Sequence, residues 1–339
     1  MGDRAPFKSF RKIIWAVDVF ERDRKMQETA AKTLQCMTER FGAAFEVVHI
    51  LNLHEIELAG QVDGAWESFY ERAAESAVQQ LLESVHLNSP VQKCHVHIIL
   101  QRTSSNTHDS VDLLIRYAEE RGADLLLVTT HGRSGVKRAV LGSFAETLLL
   151  RSSVPVMTVG PQMAQSFRNP LAIKSLLFPT DFQLDAKSYF RRAVALALQL
   201  QSKITLFHSV PHPIEPMVQS GVNLLGASWF PLYGYFGEQV ERQTERAQAW
   251  ARWAMRQGVE ADYVIHAEGG SIPEVVCSLA QDRDISMILM VEKTGPVASA
   301  LIGSITRQVV RHSPCPVFIL SSLNAQKKDR KPSHLRRVA

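Results

Sequence analysis

The sequence has few cysteines and no long apolar run, and both shortages exclude classes of protein. Its 4 cysteines are scattered without C-x-x-C spacing, so no disulfide framework and no thiolate metal site is indicated. No apolar segment reaches the ~18 residues that a membrane-spanning helix needs, and the first residues lack the apolar segment of a secretory signal. We therefore expect a soluble, cytoplasmic protein with reduced thiols and no membrane contact.

Positive charge is also scarce in the body of the chain. The formal net charge is +4, and much of it comes from the tail K-K-D-R-K-P-S-H-L-R-R at 327–337. A body without a strong basic field is not typical of proteins that bind nucleic acid. We expect residues 323–339 to form a basic, disordered tail.

What the chain does have is enough length for two domains and a regular alternation of elements. Its 339 residues fit two domains of about 150 residues each. Apolar runs at 13–17, 45–50, 94–100 and 125–129 alternate with helical stretches. Continuous apolar strands between helices indicate a parallel sheet covered on both faces, so an α/β fold is predicted.

The second half repeats the landmarks of the first half at a nearly constant offset along the chain. The matched pairs are Asp18 and Asp181, His49 and His208, and Gly142 and Gly303. An offset that is maintained over a whole domain indicates a tandem duplication. We predict domains at 1–160 and 171–322, joined by a linker at 161–170.

The stretch from 125 to 159 combines a strand, a glycine-containing loop, a helix and another strand. Backbone amides approach an anion closely where no Cβ intervenes, and amides at a helix N-terminus have no partner inside the helix. Gly132 and Gly142-Ser143 can therefore form a phosphate cradle, with Ser143 as helix N-cap and hydroxyl donor. The alternative is that Gly132 and Gly135 only turn the chain and that Ser143 only caps the helix.

The nine residues between Gly132 and Gly142-Ser143 give a spacing that resembles the signature of the universal stress protein family. In that family the pattern G-x-x-G-(nine)-G-S/T marks members that bind ATP, and here Thr129 replaces the first glycine. The segments S-S-V-P-V-M-T-V at 152–159, P-T-D-F at 179–182 and L-I-G-S-I-T-R-Q-V-V-R-H-S-P-C-P-V at 301–317 extend the resemblance over both halves.

This resemblance implies the architecture of the protein. It implies two tandem, doubly wound parallel-sheet domains of the adenine nucleotide alpha hydrolase-like, Rossmann-like type, each with strand order 3-2-1-4-5. The two domains would pack as an internal pseudo-dimer, with their terminal strands paired across a two-fold axis. Further dimerisation between chains stays open.

The resemblance also implies an adenine nucleotide site in the first half. In an open parallel sheet the ligand lies beyond the carboxyl ends of the strands where their order reverses, here between strands 1 and 4. By resemblance, Asp18 lies on the adenosine side, the main chain at Ile50 reads the adenine edge, and glycine and serine backbone groups hold the phosphates. The predicted site residues are Asp18, Ile50, Thr129, His131, Gly132, Gly135, Gly142 and Ser143. The implied cofactor is ATP, with Mg²⁺ or Mn²⁺.

The second half lacks the corresponding loop. The equivalents of Thr129, His131, Gly132 and Gly135 are Met290, Glu292, Lys293 and Pro296. Lysine cannot offer the open backbone approach of a glycine, and glutamate brings negative charge towards phosphates. We therefore predict that the second half has lost its triphosphate site.

The resemblance implies a stress-response sensor in which a nucleotide sets a conformation that a partner reads. One alternative is a slow ATPase or self-phosphorylating protein, although the motif lacks a P-loop lysine and a metal-binding aspartate. Another is a nucleotide-free scaffold that uses the insertion at 211–237, whose aromatic run from Trp229 to Phe236 forms either a contact surface or a lid. No catalytic residue is predicted, and His95 and His97, which share a strand face, are interpreted as structural.

Overall fold

The computed structural model describes residues 9–19, 23–53, 64–84, 95–102, 106–130, 141–166, 172–183, 185–211, 230–291 and 303–320. The first half alternates strands and helices. Its elements are β1 (Lys12–Ala16), α1 (Arg24–Phe41), β2 (Ala44–Asn52), α2 (Gly64–Ser84), β3 (His95–Gln101), α3 (Thr107–Glu120), β4 (Leu125–Thr129), α4 (Ser143–Arg151) and β5 (Val156–Val159).

A short helix, α5 (Pro161–Ser166), begins the segment that was predicted as a linker. The second half then repeats the alternation. Its elements are β6 (Ser175–Pro179), α6 (Ala186–Leu200), β7 (Lys203–Ser209), α7 (Phe230–Arg256), β8 (Ala261–His266), α8 (Ile272–Asp282), β9 (Met287–Val291), α9 (Ser304–His312) and β10 (Val317–Leu320).

The strands of both halves form one sheet. Its order over the described residues is β3-β2-β1-β4-β5-β10-β9-β6-β7-β8. Each half is parallel inside, and the halves join through antiparallel pairing of β5 with β10. The predicted order 3-2-1-4-5 and the predicted pairing of the terminal strands are both confirmed.

The helices cover the two faces of this sheet, as a parallel sheet requires. One face is covered by helices α1 and α2 of the first half and α6 and α7 of the second, around the fully buried Trp15 and Phe178. The opposite face is covered by α3, α4, α8 and α9. The inner strands are buried on both faces, which explains their continuous apolar runs, whereas the edge strands β3 and β8 are mostly half-buried.

A pseudo-two-fold axis passes through the centre of the sheet. Met157 of β5 pairs directly with Phe318 of β10, and these positions are equivalent because the same offset along the chain relates Gly142 to Gly303. In a two-fold interface only a residue on the axis meets its own equivalent. The internal duplication has therefore produced a pseudo-dimer within one chain.

The start of α7 differs from the prediction for the insertion. The helix begins at Phe230, so the aromatic end of the insertion is helical rather than irregular. Tyr235 projects from it and is 61% exposed. Trp229 and the rest of 212–229 lie outside the described residues. Within the described parts of the chain, no helix is both long and apolar enough to cross a membrane.

Candidate functional site

The first half reverses its strand order at β1, which lies between β2 and β4. Ala16, the last residue of β1, pairs with Val48 on one side and with Val128 on the other. Asp18 follows two residues later, and Thr129 ends β4 beside it. The predicted juxtaposition of Asp18 with the end of β4 thus follows from the strand register, at the place where open α/β sheets bind ligands.

Two side chains fix the backbone that leads to Asp18. His49 Nδ1 lies 3.0 Å from the carbonyl oxygen of Val17 and donates to it, which assigns the tautomer with the proton on Nδ1. Gln27 Nε2 donates to the carbonyl oxygen of Asp18 over 2.7 Å. The repeat of His49 was visible in the sequence, but this role was not predicted.

The second half has the equivalent histidine hydrogen bond. His208 Nδ1 lies 2.7 Å from the carbonyl oxygen of Thr180, the residue before Asp181. Burial lowers the pKa of His208 and outweighs the hydrogen bond to Thr180 and the charge of Asp181, which both favour the protonated ring. The neutral imidazole is therefore favoured in the folded state.

The direction of the main-chain polar groups at Ile50 follows from the register of β1 and β2. The backbone nitrogen of Val17, which follows β1, donates to the carbonyl oxygen of Val48 over 2.9 Å. Backbone polar groups alternate sides along a strand, so those of Ile50 point to the same side as those of Val48. At Ile50 this side lies beyond the end of β1, where a ligand edge can reach the backbone.

The N-terminus of α4 differs from the prediction in one respect. Gly142, and not Ser143, is the N-cap, with φ −61° and ψ 141° and no side-chain capping bond. Ser143 is the first helical residue, and its side chain is exposed. The backbone nitrogen of Gly142 donates to the carbonyl oxygen of Thr130 over 2.7 Å, so the Gly142 amide is already used inside the protein.

The amides that remain at this helix end belong to residues 143–145. The first four N–H groups of a helix have no partner inside it, and the first intrahelical bond here runs from Glu146 to the Gly142 carbonyl. In the described part of the chain, no acceptor contacts the amides of Ser143, Phe144 or Ala145. Such free amides at a helix N-terminus, with the helix dipole behind them, are suited to bind an anion.

The end of β4 leads into this helix. Thr129 is half-buried, and Thr130 is fully buried, with its N–H donating to the Val159 carbonyl over 3.0 Å. The predicted site residues His131, Gly132 and Gly135 lie outside the described residues. The described residues on the two sides of this segment, Thr130 and Gly142, are each held by a backbone hydrogen bond.

Arg307 of the second half forms an ion pair with Glu146 in the first turns of α4. Glu146 Oε1 lies 2.8 Å from Arg307 Nη2 of α9, and the side chains are 27% and 31% exposed. The Glu146 carboxylate would repel an anion at the amides of residues 143–145, and the positive charge of Arg307 compensates for this. Glu146 and Arg307 are equivalent positions of the two halves, at the offset that relates Gly142 to Gly303, so the pair also lies on the pseudo-two-fold axis.

No metal site is formed by the parts of the chain that the structure describes. No group of three or more His, Cys, Asp or Glu side chains there could hold a metal ion. His97 stacks on Tyr117, with ring centroids 4.6 Å apart, which accounts for it by packing. His95 is exposed at the start of β3.

Comparison with known proteins supports the family resemblance in both halves of the chain. The model of the universal stress protein family matches residues 9–160 and again 172–321. Universal stress protein MJ0531 of Methanocaldococcus jannaschii is 25% identical over 131 residues, which are 38% of this chain and 72% of that protein.

Solved structures show the same fold over nearly the whole chain. A universal stress protein of Archaeoglobus fulgidus is similar with a TM-score of 0.62 and 18% identity, over 93% of this chain and 97% of that one. A functionally unknown protein of Pseudomonas aeruginosa gives a TM-score of 0.56 and 14% identity, over 94% and 95%. Since the family model matches both halves, the chain belongs to the universal stress protein family, as a member with two tandem copies of its domain.

Proposed function

We propose that the first half binds ATP or a related adenine nucleotide and acts as a stress-response sensor in the cytoplasm. The observation that carries the proposal is the meeting of Asp18, the Ile50 backbone and the amides of residues 143–145 at the strand reversal of the first half. This arrangement supports the proposal, because open α/β sheets bind ligands at the carboxyl ends of the strands where their order reverses. The proposed domains are 1–160 and 171–322, followed by a basic tail.

Each group has a chemical role in this proposal. The Asp18 carboxylate accepts from a ribose hydroxyl, and the Ile50 backbone pairs with the adenine edge. The amides of residues 143–145 donate to phosphate oxygens, and Gly132 and Gly135 are proposed to complete the cradle. Mg²⁺ or Mn²⁺ would arrive with the nucleotide and screen its phosphates.

Signalling would follow from the position of α4. This helix bears the amides of residues 143–145 and also contacts α9 of the second half through the Glu146–Arg307 ion pair. A phosphate bound to these amides would bias the contact between the halves. A partner that contacts α4 and α9 would then distinguish the bound from the free state.

The test is isothermal titration calorimetry of nucleotide-stripped protein with ATP, AMP and GTP, with and without Mg²⁺ or Mn²⁺. Ser143→Glu puts a negative charge on the proposed phosphate site, and we expect at least about tenfold weaker ATP binding. Ser304→Glu is its matched control, because Ser304 is the first residue of α9. Asp18→Ala and Asp181→Ala form a second matched pair.

Adenine-specific binding near one nucleotide per chain, weakened only by the first-half variants, is the expected result. Gly132→Lys, which copies the second half, should also abolish it. Equal effects of Ser143→Glu and Ser304→Glu would contradict the assignment to the first half. Phosphate release measured on the same samples distinguishes a sensor from a slow ATPase.

A second candidate function is partner binding by the start of α7. Tyr235 is 61% exposed there, and an exposed tyrosine is typical of protein contact surfaces. Capture of a partner that Tyr235→Ser abolishes, while ATP titration is unchanged, would favour this scaffold function over the nucleotide sensor.

A further inference from the structure

A cavity outside the strand-end site lies between α6 and α7 of the second half. Its volume is about 240 Å³, and it is lined mainly by Lys187, Phe190, Arg191, Trp250, Trp253 and Arg256. We call it the aromatic pocket. It lies in the helix layer that covers one face of the sheet, away from the first-half strand ends.

Aromatic rings form the apolar wall of the aromatic pocket. Trp250 stacks on Phe190, with ring centroids 4.9 Å apart and planes 26° apart, and Trp253 lies 5.9 Å from the same ring. Phe182 contacts Trp250 edge-on at 5.1 Å. An aromatic wall of this kind is suited to a planar apolar group.

The remaining lining is cationic. Lys187, Arg191 and Arg256 contribute three positive side chains, and no carboxylate is among the described residues that line the pocket. Three cations without a facing carboxylate favour a ligand that supplies a negative charge.

Over the described residues, the first half does not repeat the ring stack of this pocket. Gly42 and Gln201 end α1 and α6 in the same left-handed conformation, and the offset between them is the one that relates His49 to His208. The same offset aligns Ala31 of α1 with Phe190 of α6. Alanine provides no ring on which an indole could stack. Among the described residues, this ring stack therefore distinguishes the second half from the first.

We propose that the aromatic pocket binds a small aromatic carboxylate. The rings would lie against Trp250 and Trp253, and the carboxylate would accept from Arg191 with support from Lys187 and Arg256. A volume of about 240 Å³ lies below the usual range of drug-sized pockets, ~300 to 1,000 Å³, which restricts the ligand to one or two rings.

The test uses three probes of nearly the same shape and different charge: naphthoate, naphthalenemethanol and naphthylmethylammonium. Isothermal titration calorimetry of the full chain should show saturable binding of naphthoate, at least about tenfold weaker binding of the neutral alcohol, and no binding of the cation. Equal affinity for naphthoate and the alcohol, or no binding of naphthoate, would overturn the proposal.

Two variants locate the binding. Arg191→Met keeps the apolar stem and should weaken naphthoate binding at least about tenfold. Arg252→Met removes an exposed cation from α7 that does not line the pocket, and should change the affinity by less than about twofold. Trp253→Leu supplies a further test on the aromatic side and should weaken each probe that binds.

Thermal unfolding of each variant ensures that a loss of binding is read only from folded protein. Saturating ATP should leave the naphthoate affinity unchanged, because the two proposed sites lie in different halves. Displacement of naphthoate by ATP that disappears in Ser143→Glu would place the probe in the nucleotide site and overturn the proposal. Failure of the nucleotide proposal alone would leave the naphthoate results unaffected.

Discussion

The two halves of this chain share a scaffold and differ in the residues that a ligand would meet. Both use a strand-end histidine bound to a backbone carbonyl, at His49 and His208, and both start the helix before their last strand with a glycine N-cap. The loop before that helix and the outer helix layer have diverged. Duplication has conserved what the fold requires, while the residues at the proposed ligand sites have changed.

A serine turn illustrates the conserved part. Ser152 Oγ donates to the Val154 carbonyl over 2.6 Å, and Ser313 Oγ donates to the Cys315 carbonyl over the same distance. Both serines are buried, and they occupy equivalent positions of the two halves. The S-x-x-P segments that supported the family resemblance therefore serve the turn into the central strands rather than a ligand.

The largest expected effect concerns the core that the halves share. Phe178 is fully buried on β6, at the position equivalent to Trp15 of β1. Phe178→Ala should lower the free energy of unfolding by about 3–5 kcal/mol, because it removes a ring that its neighbours cannot replace. Urea unfolding measures this, with Leu198→Ala, which is 45% exposed, as the control. A loss no larger than that of the control would contradict the shared-core interpretation.

The next effect concerns a buried carboxylate that the first half has and the second half lacks. Glu46 accepts from Tyr117 Oη at 2.7 Å and from Lys12 Nζ at 3.1 Å, whereas Thr205 occupies its position in the second half. Burial acts to raise the pKa of Glu46, but these hydrogen bonds outweigh it and lower that pKa. Tyr117→Phe should lower the free energy of unfolding by about 1–2 kcal/mol at neutral pH.

The pH dependence of this variant follows from the sign of the shift. A carboxylate with a lowered pKa in the folded state contributes stability above its unfolded value, near 4.5, and this contribution is lost as the pH falls through the folded value. The difference between wild type and Tyr117→Phe should therefore shrink in acid. Urea unfolding at several pH values measures it, and a constant difference would contradict the role of the ionised Glu46.

A smaller effect is expected at the axis between the halves. Glu146→Arg makes the two halves alike at this position and sets two cations face to face, which should cost about 1 kcal/mol in a partly exposed pair. The charge-swapped double variant Glu146→Arg with Arg307→Glu should recover most of the loss. Thermal unfolding of the four proteins gives the coupling, and additive losses would show that the pair contributes nothing.

The smallest effect is a pH slope from the second half. Burial lowers the pKa of His208, so the unfolded chain takes up a proton at higher pH than the folded chain. Its contribution is complete above its unfolded value near 6.5 and declines as the pH falls through that value towards the lower folded one. His208→Gln should flatten the stability profile in this window, as followed by urea unfolding. An unchanged slope would assign the dependence to other groups.

Much of the fold could be predicted from the sequence because it depends on local pattern. Continuous apolar strands, regular alternation with helices and constant offsets between halves predicted two parallel-sheet units, and the family resemblance supplied their strand order and pairing. The start of α7 was missed, because Pro231 and the glycines at 234 and 237 are unusual in a helix. Pro231 is tolerated because it lies in the first turn, where its missing N–H has no partner to lose.

The site was predictable in outline but not in its hydrogen bonds. The position of Asp18 beside β4 followed from strand order, whereas the use of the Gly142 amide by Thr130 depends on the path of the chain between β4 and α4. Gln27 could not be identified as a support for Asp18, since its sequence position is ordinary for a helix.

The sequence by itself determined the duplication, the alternation of strands and helices and the loss of the glycine loop in the second half, because these depend on residue types at fixed spacing. The tertiary structure decided the Glu146–Arg307 pair on the axis and the cationic, aromatic pocket between α6 and α7. Both join residues that are distant in the chain or on separate helices. Such contacts depend on how the layers pack, and no local pattern records them.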